Sequence, residues 1–133
     1  MTDARADHPA PDAALILALA AEAVAALPAP HAAAAAAVVL RVEEFPFDEM
    51  LEELGLEDPF ELTGLYDGIP LTERGAGYEG MVMPDRITVF RQPLLAMCAT
   101  EEELVEQVRI TVVHEVAHHF GIDDARLHEL GWA

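Results

Sequence analysis

Between Thr100 and Gly121 the sequence specifies one long helix with both ends marked, and that element limits what the chain can fold into. Thr100 followed by Glu103 is a capping box that opens the helix. Leu104, Val108 and Val112 line one apolar strip, extended by Val105, Val116 and Ala117, so the helix is expected in the core. Gly121 is the residue type that stops a helix in the left-handed conformation. The last turns carry His114-Glu115-Val116-Ala117-His118, and the pattern continues through Gly121 to Asp124 as HExxHxxGxxD. HExxH alone arises by chance in about one chain in thirty of this composition, whereas the extended pattern arises in about one in several thousand.

Residues four apart share one face of a helix, so His114 and His118 are able to address a single metal ion. Two ligands are too few for a tight site. The break at Gly121 lets the chain turn back and bring Asp124 round as an oxygen ligand, which leaves the fourth position for water. Asp123 and Asp124 are able to divide two jobs, metal ligand and cap of a last helix over 125–130, and Glu129 and His128 are the substitute ligands. A zinc ion in such a site lowers the pKa of its water from about 15.7 towards about 7. Glu115, next to the first ligand, is placed to take the water's proton and pass it to the leaving amine. Tyr66 and Tyr78, in a glycine-rich segment, are candidate donors to a developing oxyanion. His119 is rotated about 100° from His118 and is expected to pack or to support a ligand from behind. Asp123 and Glu129 are the nearest carboxylates in sequence for that supporting role.

The rest of the chain adds constraints rather than chemistry. Its 133 residues suit a single domain over 12–133 after a flexible tail at 1–11. There is no lysine and the formal charge is −18, which argues against nucleic acid and against anionic membranes, both of which need basic patches. A peptide or protein substrate is the partner left, with the chain a monomer or a weak homodimer through its apolar N-terminal helix. Cys98 is the lone cysteine, as in a reducing cytoplasm. The apolar run Ala13–Ala21 has no basic flank and is too short to span a bilayer, so no export signal is expected.

Local patterns fill in the elements. Asp12 is placed to cap a helix to about Ala26, and Ala32–Ala37 favours another. Val38–Val42 reads as a strand, and Phe47–Leu54 as a short helix with Phe47, Met50, Leu51 and Leu54 on its apolar face. Gly55–Gly80 reads as ordered loop with tight turns. Met81–Met83 and Ile87–Phe90 are short strand candidates, with Pro84 favouring an edge position. The ten carboxylates from Glu43 to Asp67 have no calcium-loop spacing and form a solvated face.

The motif resembles the zincin metallopeptidases, and more closely the Asp-zincins, whose metal is held by HExxHxxGxxD. The longer text from Thr111 to Asp124, then Leu127-His128-Glu129-Leu130-Gly131-Trp132, is similar to a family of small bacterial metallopeptidases with a minimal zincin-like domain. Val42–Pro46, Gly64–Pro70 and Met83–Ile87 share the likeness, which covers residues 12 to 132. It implies an α+β fold: a small mixed β-sheet packed against the helix that carries HExxH, plus an N-terminal helix. It also implies one Zn²⁺ ion held by His114, His118 and Asp124, with Glu115 as catalytic base and acid. An extended substrate would pair with a sheet edge, for which Ile87–Phe90 is the candidate. Two function classes follow: a zinc-dependent metallopeptidase, or a zinc-binding module that acts in protein interaction or stability with little or no turnover.

Overall fold

The computed structural model describes residues 11–28, 31–68 and 85–130, without the side chains of Ala34, Asp124 and Leu130. In chain order the described elements are α1 (Ala13–Ala25), α2 (His31–Ala35), β1 (Val39–Glu43), α3 (Asp48–Leu54), a 3-10 turn (Pro59–Glu61), β2 (Gly64–Asp67), β3 (Arg86–Phe90), α4 (Arg91–Met97), α5 (Glu101–Phe120) and α6 (Asp124–Leu130). This is the α+β arrangement expected: a small mixed sheet, the HExxH helix against it, and an N-terminal helix.

Asp12 caps α1, its Oδ1 accepting from the Leu15 N–H at 2.9 Å. The helix buries Ile16, Ala20, Ala23 and Val24 against α5 and β1. Small side chains on this face let the backbones come close while still removing apolar surface from water.

The sheet order is β1-β3-β2, with β3 parallel to β1 and antiparallel to β2. This corrects the expectation that Ile87–Phe90 forms an edge. Ile87, Val89 and Phe90 are almost fully buried, the continuous apolar run of a strand covered on both faces. The strand candidate Met81–Met83 lies outside the described residues. Gly64–Asp67, expected as loop, is instead strand β2, at the sheet edge among the described residues. Its β propensity is low, and pairing with β3 together with packing on α5 overrides it. Helix α4 was not legible either. Its Pro93 sits in the first turn, where a missing N–H breaks no helical bond.

Two apolar patterns need correction. Of the expected face of α3 only Leu51 is buried; Leu54 is exposed, as is Phe47, which lies outside the helix as its N-cap. On α5, Val105 is exposed while Leu104 and Val108 are buried, so the first turns present one narrow strip to the core. Further along, Thr111, Val112, Val113, Glu115, Val116, Ala117 and His119 are all buried, and the helix becomes enclosed as it approaches its motif.

Both ends of α5 close as the sequence predicts. Thr100 Oγ1 accepts from the Glu103 N–H at 3.1 Å, and Glu103 reaches back to the Ala99 N–H at 2.9 Å. At the other end Gly121 has φ +70°. The Ile122 N–H bonds the Ala117 carbonyl at 2.8 Å and the Gly121 N–H bonds the His118 carbonyl at 3.0 Å, the paired closure of a Schellman motif. Among the described residues no helix is long and apolar enough to cross a membrane.

Candidate metal centre

The end of α5 presents three stripes at four-residue spacing. Leu104, Val108, Val112 and Val116 form the apolar one. Thr111, Glu115 and His119 form a buried polar one. His114 and His118 form the third, with ring centroids 5.1 Å apart. His118 is exposed and His114 half-buried, so this pair lies towards the surface while Glu115 lies behind it.

The polar stripe is matched by β2 and by Asp85. Thr63 and Thr111 share a hydroxyl contact at 3.0 Å. A Cβ on Gly64 would collide with the Thr111 methyl group and lie 3.6 Å from the Glu115 Cγ, so only glycine lets β2 approach α5 this closely. The Phe90 N–H donates to the Thr63 carbonyl at 2.9 Å. Alternation along an antiparallel pair then turns the backbone groups of Gly64 and Tyr66 away from β3. The Tyr66 N–H uses that freedom and donates to Glu115 Oε1 at 2.8 Å. The same oxygen stands 3.2 Å from His118 Nδ1. Burial pushes the Glu115 carboxyl above the usual carboxylate range, and the neighbouring His118, the Tyr66 N–H and His114 pull it partway back. A carboxylate made more basic in this way suits proton abstraction.

His119 has a carboxylate partner from a distant segment of the chain. Its Nδ1 lies 2.7 Å from Asp85 Oδ2, with both side chains buried. The Tyr66 hydroxyl is 3.4 Å from the same nitrogen. Asp85 immediately precedes β3, and strand pairing brings it to α5 across the fold. A Cβ on Gly68 would press into the Asp85 carboxylate and the Tyr66 hydroxyl, so the chain leaving β2 lies directly over this cluster.

Of the two aspartates after Gly121, one is seen as a helix cap. Asp123 caps α6, its Oδ1 accepting from the Arg126 N–H at 2.8 Å. Asp124 is the first residue of α6, and its side chain lies outside the described part of the structure. Glu129 is at the surface, paired with Arg126 at 2.7 Å, and His128 is exposed; neither is brought to the site. Tyr78 lies outside the described residues. Among the described residues no three His, Cys, Asp or Glu side chains gather as a complete metal cage. The donor chemistry still suits a borderline-soft cation: two neighbouring imidazoles on one rigid helix face, with Nδ1 of His118 turned to Glu115 and its Nε2 left for an ion.

Sequence reasoning missed Asp85, Thr63, Thr111, Gly64 and Gly68. The available signal was the spacing of Thr111, Glu115 and His119, which puts three polar residues on one face of a helix expected to be buried.

A long helix that carries HExxH, closed by glycine and laid against the edge of a small mixed sheet, defines a protein of the zincin-like class. The sequence profile of the zincin-like metallopeptidases matches residues 35–132, and the chain belongs to that family. A comparison with curated proteins gives no match.

Proposed function

We propose that this chain is a peptidase dependent on one Zn²⁺ ion, with His114, His118 and Asp124 as its ligands and Glu115 as general base and then acid. The observation that carries it is the buried Glu115 carboxylate, held at 2.8 Å by the edge of β2 beside the paired rings of His114 and His118. When bound, zinc would supply an acidified water and polarise the scissile carbonyl. Glu115 Oε1 is engaged by the Tyr66 N–H and faces His118, which leaves Oε2 to accept the proton from the attacking water and return it to the leaving amine. His118 turns Nδ1 to that carboxylate, so the orientation of its ring and the position of the base are set together. Asp123, by capping α6, fixes the chain reversal that delivers Asp124.

Metal content of the purified protein tests this first, after zinc loading and gel filtration. One zinc per chain in the wild type and none in His118→Ala is expected; zinc in neither overturns the proposal. Cleavage of a peptide pool by the loaded wild type, lost in Glu115→Gln with zinc retained, then assigns the base.

A further inference from the structure

The buried Asp85–His119 pair is not used by the reaction just described, yet it is the best-enclosed polar contact on α5. Its surroundings show what it acts on. Tyr66 reaches both sides of the polar stripe: its backbone N–H donates to Glu115 Oε1 at 2.8 Å and its hydroxyl lies 3.4 Å from His119 Nδ1. The Tyr66 and His119 rings also meet edge to face, with centroids 5.7 Å apart. Asp85 holds the His119 ring at 2.7 Å, and the chain at Gly68 closes over Asp85 and the Tyr66 hydroxyl. Strand β2 is therefore seated at both ends, by Thr63 and Gly64 on Thr111 and by Tyr66 and Gly68 on His119 and Asp85.

We propose that Asp85 and His119 are positioning residues: acting through Tyr66, they hold the edge of β2 at the distance that keeps the Tyr66 N–H on the Glu115 carboxylate. The inference rests on the assignment of Glu115 as base for its catalytic meaning, but its geometric content stands independently. Two groups that orient a third, itself in contact with the reacting carboxylate, act on turnover rather than on substrate capture.

Amide hydrogen exchange followed by NMR on the full 133-residue chain tests it. The Tyr66 amide faces away from β3, so its protection reports its bond to Glu115, whereas the Leu65 amide reports pairing with β3. In Asp85→Asn and in Tyr66→Phe the amide at position 66 is expected to exchange about tenfold faster, with Leu65 within about twofold of wild type. Unchanged exchange at Tyr66, or equal acceleration at both amides, overturns the proposal, the latter because it marks general loosening. Tyr66→Phe removes one hydroxyl from a half-buried ring and decides the matter alone if Asp85→Asn does not fold. With zinc-loaded protein and a quenched fluorogenic peptide, Tyr66→Phe is expected to lower kcat and leave KM unchanged; a raised KM with kcat intact counts against it. A wild type that cleaves nothing removes the peptidase assignment, while the exchange result still judges the positioning.

Discussion

Helix α5 is held on one side by methyl groups and on the other by hydrogen bonds. Ile16, Ala20, Ala23 and Val24 of α1 share one core cluster with Leu104, Val108, Val112 and Val116. On the sheet side Thr111, Glu115 and His119 meet Thr63, Tyr66 and Asp85 through polar contacts. The apolar side is non-directional and tolerates small shifts, and it supplies stability in proportion to area buried. The polar side gains little net free energy, because each group gives up water to make its contact, but it permits only a narrow set of geometries. The contrast assigns stability to one side and placement to the other.

Glu115→Gln should separate the two sides most sharply. Loss of a general base lowers hydrolysis by about a thousandfold, read as turnover of the zinc-loaded protein. The same change should not weaken the metal-free fold. A raised folded-state pKa means that the Glu115 contribution is fully present below the unfolded value of about 4.3 and is lost as pH rises through the folded one. Thermal melts of metal-free wild type and variant should therefore agree near pH 4 and diverge towards pH 7, with the glutamine form melting higher. A lower melting temperature for the variant at pH 7 would show that the carboxylate stabilises the fold after all.

Leu104→Ala should act in the opposite way. It opens a cavity on the apolar side and costs about 3 kcal/mol in urea unfolding, while zinc per chain stays at the wild-type value under folding conditions. Gly64→Ala is a smaller perturbation of the polar side, about 2 kcal/mol, because the new methyl meets the Thr111 side chain and must push β2 outward. Its turnover should fall further than its stability, and equal losses would blur the division between the sides. Thr111→Val, which removes the contact with Thr63, is the mildest at about 1 kcal/mol by the same unfolding assay.

The apolar side was largely legible from the sequence and the polar side was not. Spacing within one helix gives Leu104, Val108 and Val112, and the stop signal at Gly121 and the cap at Thr100 are local chemistry that a sequence carries openly. So is the Asp12 cap of α1. The partners of the polar stripe come from distant segments. Tyr66 meets Glu115 across 49 positions of chain, and no periodicity announces that pairing. Nothing local marks Asp85 as the partner of His119. The placement of β3 at the centre of the sheet follows from burial on both faces, which a short apolar run shares with an edge strand. Of the two neighbouring aspartates that local chemistry allows as the cap of α6, Asp123 takes the role.

The Schellman closure at Gly121 has a consequence for binding entropy. The final turn of an open helix frays, and an imidazole on a fraying turn samples many positions. His118 lies in that turn, yet its own carbonyl and that of Ala117 are taken up by the N–H groups of Gly121 and Ile122. The backbone that carries the two rings is thus ordered when the chain folds, before any cation would arrive. Capture then freezes little additional motion, so a larger share of the ligand-to-ion attraction is retained as affinity. A residue without a side chain, standing outside the motif's histidines, would in this way set how tightly they close on an ion.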